Sequence, residues 1–217
     1  MTVPVPTVTV VDYDRGNLFS IRRAFEEVGA EVVLTDDPET IAEARRLVLP
    51  GVGAFGDAMT ELGRRGLLPV LEAYAASGKP MLGICVGMQI LFDVGEEFGE
   101  HDGLGLLSGR VSPIPDRDEA GRRLKVPHIG WNRLLIGSGA ADPLLAGLDH
   151  DSQCYFVHSF AARPGDPSDC LAETEYGGHR LTAAVRRDNV WGFQFHPEKS
   201  GPTGLSIVSN FSALEAA

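Results

Sequence analysis

Cys85 lies in Gly83-Ile84-Cys85-Val86-Gly87, between a run that reads as a strand and one that reads as a helix. This is the form of a nucleophile elbow with cysteine in the serine position. Glycines flank such a nucleophile because a sharp strand-to-helix turn leaves no room for side chains beside it. The helix that follows offers unpaired backbone N–H groups and a partial positive charge to the sulfur. Such a site lowers a thiol's pKa from about 8.5 toward neutrality and creates the attacking thiolate. The plainer alternative is a small buried core cysteine, against which the glycine frame and the strand–turn–helix context both weigh.

A thiolate nucleophile needs a base, and the base needs an orienting group. Phe193-Gln194-Phe195-His196-Pro197-Glu198 offers both at the end of a strand. Pro197 biases His196 toward an extended conformation. Residues i and i+2 of an extended segment point the same way, so Glu198 can lie beside the His196 ring. A carboxylate there fixes the tautomer and stabilises the imidazolium. The competing reading is a surface His next to a surface Glu.

Acyl transfer from an amide develops negative charge on oxygen, which backbone N–H groups usually stabilise. Val86, directly after the nucleophile, supplies one candidate donor. The loop Pro50-Gly51-Val52-Gly53 supplies the other, its small residues letting backbone approach a substrate. Gly51-x-Gly53-x-x-Gly56 also matches a dinucleotide fingerprint. That match is weak: Pro50 interrupts the turn, the loop follows the third strand rather than the first, and Glu72, the acidic residue at suitable distance, falls in a helical stretch. Nicotinamide binding is therefore set aside. His101, His150 and His179 show no metal-ligand spacing, so neither a metal nor a cofactor is expected.

The elements that must hold these residues alternate in the first half. Strand signals cover Val8–Val11, Glu31–Leu34, Leu47–Leu49 and Met81–Ile84. Helix signals cover Asn17–Val28, with Leu18, Ile21, Phe25 and Val28 on one stripe; Pro38 to Ala44, with Asp37 as N-cap; Asp57–Ala76, broken near Gly66; and Val86–Val94. From Leu104 onward short β-type runs dominate: Arg110–Ile114, Leu124–Val126, Arg133–Ile136, Tyr155–Phe160, Leu181–Arg187 and Val190–Phe195. Thr203–Leu214 reads as a closing helix. The fold class is thus α/β, an open, mostly parallel sheet with helices on both faces, extended by antiparallel strands. No linker separates two domains, so residues 1–217 are expected to form one.

Nineteen basic against thirty acidic residues give a net charge of −11 over 217 residues. That field repels phosphate backbones and argues against nucleic acid or anionic membrane as the main partner. No apolar run approaches the roughly 20 residues of a membrane span. Met1–Thr7 has neither a basic flank nor an apolar signal core, so a cytoplasmic location is expected. Cysteines at 85, 154 and 170 are too few and too scattered for a disulfide framework or a zinc site, leaving one functional thiol as the expectation. Asn210-Phe211-Ser212 fits a glycosylation sequon, read as chance without secretion.

Cys85-Val86-Gly87-Met88-Gln89 together with His196-Pro197-Glu198 resembles the class I (triad) glutamine amidotransferases over nearly the whole chain. The resemblance implies a Cys–His–Glu triad that forms a γ-glutamyl thioester and releases ammonia. It further implies that Gln89 helps hold glutamine, that the backbone of His158-Ser159-Phe160 grips the α-carboxylate end, and that Glu97 receives the α-amino group. The bland alternative for Gln89 and Glu97 is helix-surface polarity. Asp12–Asn17, Pro50–Gly53, Pro127-His128-Ile129-Gly130-Trp131-Asn132 and Tyr155–Ser159 together look like the glutaminase subunits of imidazole glycerol phosphate synthases, in histidine biosynthesis. That likeness implies a heterodimer with a (βα)₈-barrel cyclase, for which Asn17, Trp131 and Lys199 are candidate contacts. Ordinary readings compete: Trp131 as a core aromatic, Lys199 as a solvated charge. Asp14-Arg15 replaces smaller residues expected before Gly16, and Asp116–Arg123 is a charged excursion of unclear role.

Two other assignments fit parts of the pattern. One is a glutaminase subunit of another synthase, such as anthranilate or pyridoxal phosphate formation, with Pro127–Asn132 as the discriminating feature. The other is a flavodoxin-like redox or sensor protein with an exposed elbow cysteine.

Overall fold

The computed structural model describes residues 5–149 and 151–215; His150 and the first four residues of Met1–Thr7 lie outside them. The first half runs β1 (Thr7–Val11), α1 (Leu18–Glu27), β2 (Glu31–Thr35), α2 (Pro38–Glu43), β3 (Leu47–Leu49), α3 (Phe55–Arg64), α4 (Leu68–Ala76) and β4 (Met81–Ile84). α5 (Val86–Gln89) follows Cys85, and then β5 (Phe92–Gly95), β6 (His101–Asp102), β7 (Leu107–Pro113), β8 (His128–Arg133), β9 (Leu135–Ile136), β10 (Gln153–His158) and β11 (Phe160–Pro164). The chain continues through β12 (Cys170–Tyr176), β13 (His179–Arg187) and β14 (Val190–Phe193) to α6 (Gly201–Ala213).

The main sheet has eight strands in the order β2-β1-β3-β4-β14-β13-β12-β9. β2, β1, β3, β4 and β14 run parallel, and β13, β12 and β9 add antiparallel pairs. β3, β4 and β14 are buried throughout, as strands covered on both faces must be, and they read accordingly as continuous apolar runs. Ile21 and Phe25 bury the α1 stripe, with Phe25 edge-on to Phe211 of α6. The Asp37 carboxylate caps α2, accepting the Thr40 amide at 2.9 Å. A second sheet, β11-β7-β5-β6, and the β10-β8 ribbon pack beside the main one.

Several elements depart from expectation. The single strand read over Tyr155–Phe160 is split between β10 and β11, and that over Arg133–Ile136 between β8 and β9, with the members of each pair in different sheets. The helix predicted over Val86–Val94 ends at Gln89, and Phe92–Gly95 is a strand. Gly95 sits where a Cβ would stand 2.4 Å from the Phe55 ring, so this stretch lies flat beneath α3 rather than coiling. Leu124–Val126 is not a strand; Leu124 instead packs against the turn at Gly177, and pairing begins at His128. β12 carries Ala172, Glu173 and Glu175, poor strand formers that gave no local signal. Its pairing with β13 on one side and β9 on the other decides it.

The two unusual charged segments are tied down locally. Asp14, at φ 61°, pairs with Arg65, which also holds Asp36 and Glu61. Arg15 reaches Asp57 at 3.6 Å. In the Asp116–Arg123 excursion, Asp118 accepts the Arg122 amide and guanidinium, and His179 meets the Arg117 carbonyl at 2.7 Å. The excursion is a hairpin-like cap seated on the β12–β13 turn.

Candidate active site

Parallel pairing brings three C-terminal strand ends to one edge of the sheet. β4 lies between β3 and β14, with Leu49 beside Gly83 and Phe193 beside Ile84. The residues that follow β4 are the elbow, those that follow β3 are Pro50–Gly53, and those that follow β14 lead to His196. Cys85 therefore stands between the β3 loop and His196 because of strand order. Ligand sites of open α/β sheets gather outside such carboxyl ends.

Cys85 has φ 57° and ψ −112°, a backbone region that L side chains rarely adopt. The elbow is correspondingly tight. A Cβ on Gly87 would stand 1.9 Å from the Leu49 carbonyl, and one on Gly51 would stand 2.4 Å from the Gly87 nitrogen. The glycines thus let the β3 loop touch the backbone of the elbow. Val86 opens α5, so its N–H has no acceptor within the helix. Although α5 is only four residues long, this local amide is what an oxyanion would need.

His196 is buried, and its Nδ1 is 2.8 Å from Glu198 Oε1, with the Glu198 side chain 1% exposed. Burial alone would lower the imidazole pKa. Hydrogen bonding to Cys85 and to Glu198, together with their charges, more than offsets this and raises it to about 10. Glu198 Oε2 is buried and has no hydrogen-bond partner, so the carboxylate is committed to the ring. Burial pushes the Cys154 thiol up to about 12 and raises that of Cys170 as well.

A cleft of about 280 Å³ opens over the sulfur, lined by Val52, Gly53, Cys85, Val86, Gln89, Glu97, Ser159, Phe160 and His196, with Pro127, Val157 and His158 completing the wall. Gln89 is buried, not a surface polar residue; its Nε2 donates to the Phe160 carbonyl at 3.1 Å and to Gln194 Oε1 at 3.0 Å. Glu97 reaches the cleft from the turn after β5, and its Oε2 accepts the Phe55 amide at 3.0 Å. Gly51 lies behind the wall and Glu198 behind His196. The third glycine of the apparent dinucleotide fingerprint, Gly56, is covered by the His101 ring, 2.7 Å from where its Cβ would be. That packing leaves no phosphate cradle there.

Two residues about the sulfur escaped the sequence reading. Tyr13, fully buried, donates to the Pro50 carbonyl at 2.7 Å and pins the start of the β3 loop. Gln194 places Nε2 3.9 Å from Cys85 Sγ. The segment 194–198 is not extended as expected: β14 ends at Phe193 and Glu198 lies in a 3-10 turn, Pro197–Lys199, that His196 opens, so this turn and not strand alternation brings the carboxylate back to the ring. Trp131 is 52% exposed, not a core aromatic. It meets Tyr155 edge-on, and Lys199 Nζ lies 6.0 Å from the same ring. Asn17 precedes α1, which packs against the Pro197–Lys199 turn.

The family model described as class-I glutamine amidotransferase matches residues 9–213. The chain belongs to this family. Similar proteins include imidazole glycerol phosphate synthase subunits HisH of Sulfurimonas denitrificans, 48% identical over 94% of this chain and 97% of that one, and of Salinibacter ruber, 50% identical over 95% and 94%. That of Syntrophotalea carbinolica is 48% identical over 95% of this chain and 100% of its own length. Among solved structures, PurLQS from Thermotoga maritima is similar in fold, with a TM-score of 0.71 and 22% identity over 96% of this chain and 98% of that one. In this class-I amidotransferase the elbow at Cys85, His196 and the cleft lie together on one sheet edge. No helix among the described residues is long and apolar enough to cross a membrane.

Proposed function

We propose that this chain is the glutaminase subunit of an imidazole glycerol phosphate synthase, working in histidine biosynthesis in the cytoplasm, and that Cys85, His196 and Glu198 are its triad. The observation that carries the chemistry is the shared strand edge, with Cys85 and His196 in one cleft and Glu198 2.8 Å behind the base. The Cys85 thiolate attacks the carboxamide carbon of L-glutamine. The Val86 N–H and an amide of the Gly51-Val52-Gly53 loop stabilise the oxyanion. His196, as imidazolium, gives its proton to the departing nitrogen, and the C–N bond breaks to release ammonia and leave a γ-glutamyl thioester. Water then attacks the thioester with His196 as base, freeing glutamate and restoring the thiolate. Glu198 holds the ring throughout.

Gln89, Glu97, Ser159 and Phe160 line the space the amino-acid end would fill. With its Nε2 spent on Phe160 and Gln194, Gln89 offers Oε1 to the substrate amide. Glu97 Oε1 is placed for the ammonium group, its other oxygen being held by Phe55.

The subunit names of the relatives support a partner. Ammonia released into water at neutral pH is protonated and loses its lone pair, so a sealed passage to an acceptor is the chemical expectation. The partner is a (βα)₈-barrel cyclase, which uses the ammonia to form imidazole glycerol phosphate and the aminoimidazole carboxamide ribotide AICAR. Asn17, Trp131 and Lys199 contribute to that contact. The exposed Val52 of the β3 loop, 39% accessible, lets docking reach the oxyanion donors. Glutamate release at saturating glutamine, measured with and without the cyclase and its nucleotide ligand, tests this. The expected stimulation is about 10²–10³-fold or more, the worth of one oxyanion donor. Equal rates would leave a constitutive glutaminase and argue for a different synthase.

A further inference from the structure

Two histidines and two glutamines form a buried chain of hydrogen bonds that ends on the sulfur. His128 Nδ1 is 2.9 Å from His158 Nε2, and His158 Nδ1 is 2.8 Å from the Phe160 carbonyl. Gln89 Nε2 lies 3.1 Å from the same carbonyl and 3.0 Å from Gln194 Oε1, and Gln194 Nε2 lies 3.9 Å from Cys85 Sγ. All four side chains are at least nine-tenths buried: His128 is 1%, His158 6%, Gln89 3% and Gln194 0% exposed.

The direction of every bond in this chain follows from one atom. A carbonyl oxygen can only accept, and it has two lone pairs. The Phe160 carbonyl fills both, one with His158 and one with Gln89. His158 must therefore carry its proton on Nδ1. Burial holds its pKa down at about 4 and keeps the ring neutral, so Nε2 is an acceptor for His128. On the other side, the end of Gln89 that meets the carbonyl must be its NH₂ group. That same nitrogen also faces Gln194, so the facing atom of Gln194 must be its oxygen. The amide nitrogen of Gln194 is then left pointing at Cys85, with no freedom to flip.

We propose that Gln194 is a further catalytic residue, a donor that stabilises the Cys85 thiolate, and that Phe160, Gln89 and the His128–His158 pair fix its orientation. The inference rests on Cys85 being the nucleophile. Gln194 acts on the sulfur from the β14 side independently of His196, which holds the proton needed for the leaving group. The division is useful because His196 must hold its proton for the departing nitrogen rather than spend it on the sulfur. A neutral amide donor stabilises the thiolate before attack, and again as the thioester collapses, without supplying a proton to it. His128 starts the chain on β8, whose Ile129 and Trp131 are half exposed on the other face. The docking strand is thereby tied to the orientation of the donor.

The test is the pH dependence of Cys85 alkylation by iodoacetamide in the full chain, followed on the Cys85 peptide by mass spectrometry. The Gln194→Leu variant removes the donor while the titratable groups about the sulfur remain: His196 with Glu198 behind it, Tyr13, and Glu97 and His158 of the cleft wall. Its alkylation midpoint should rise by about one pH unit, the worth of a charge-assisted hydrogen bond. The kcat should fall roughly tenfold with KM for glutamine changing much less. A midpoint unmoved in a folded Gln194→Leu protein would overturn the proposal, because a merely structural glutamine would lower stability alone. A second measurement needs no Gln194 variant. In the wild type, the Gln194 side-chain amide protons should titrate with the alkylation midpoint and stop titrating in Cys85→Ala. An amide resonance indifferent to the thiol would overturn the proposal equally. Failure of iodoacetamide to label wild-type Cys85 at all would instead count against the nucleophile itself.

Discussion

His196 keeps its proton to about pH 10 because the sulfur and the carboxylate beside it outweigh the cost of burying a charge. The carboxylate's share has a definite sign. It stabilises the cationic ring, so its loss lowers the pKa of His196. In Glu198→Gln the alkaline limb of the glutaminase pH–kcat profile should move to lower pH, with activity reduced but not abolished. An alkaline limb in the same place would mean that Glu198 does not face the working imidazole. His196→Ala should cost at least about 10²–10⁴-fold, the usual worth of general acid–base work. Because members of a catalytic unit are not additive, Cys85→Ala combined with His196→Ala should be little worse than either alone. Cys154, whose thiol is pushed up to about 12 by burial, should accept serine with little loss of glutaminase activity.

At the scale of elements, the elbow stores strain that can be measured. Cys85 holds a backbone conformation that favours glycine, which costs about 1–3 kcal/mol for other residues. Cys85→Gly should therefore be more stable than Cys85→Ala by about 1 kcal/mol, after allowing for glycine's greater freedom when unfolded. Thermal denaturation of the two inactive variants decides it. Equal melting temperatures would mean that the turn is unstrained. The β8–β10 ribbon carries a second consequence. His158 binds protons less readily folded, at about 4, than unfolded, at about 6.5. Its contribution is complete above the unfolded value and is lost as pH falls from about 6.5 toward 4. The loss approaches about 3 kcal/mol, and the urea midpoint should drop more between pH 7 and pH 5 in the wild type than in His158→Gln. The same elements explain what the sequence did and did not reveal. Continuous apolar runs and flanking glycines made β3, β4 and the elbow legible. The His196–Glu198 contact was expected from an extended segment, whereas a 3-10 turn over Pro197–Lys199 makes it. β12 was not legible because Ala172, Glu173 and Glu175 owe their strand to neighbours on both sides. The helix drawn past Gln89 failed because the apolar run Ile90-Leu91-Phe92 suits either period, and only packing of Gly95 under Phe55 settles it.

For the whole molecule, parallel strand order puts Cys85, His196 and the β3 loop on one edge, while Trp131, Tyr155 and Lys199 cluster together elsewhere. Docking at that cluster is expected to control chemistry at the edge. Lys199→Ala should weaken assembly with the cyclase, or its stimulation, more than it changes KM for glutamine; the reverse pattern would place Lys199 in the substrate site. The central claim is that Cys85 is acylated by glutamine. Rapid acid quench of the chain turning over L-glutamine in the presence of the proposed cyclase and its ligand, followed by mass spectrometry of the Cys85 peptide, tests this directly. A γ-glutamyl adduct on Cys85, absent in Cys85→Ala together with glutamate release, is the result expected. Glutamate release that persists in Cys85→Ala, with no adduct on the wild-type peptide, would contradict it.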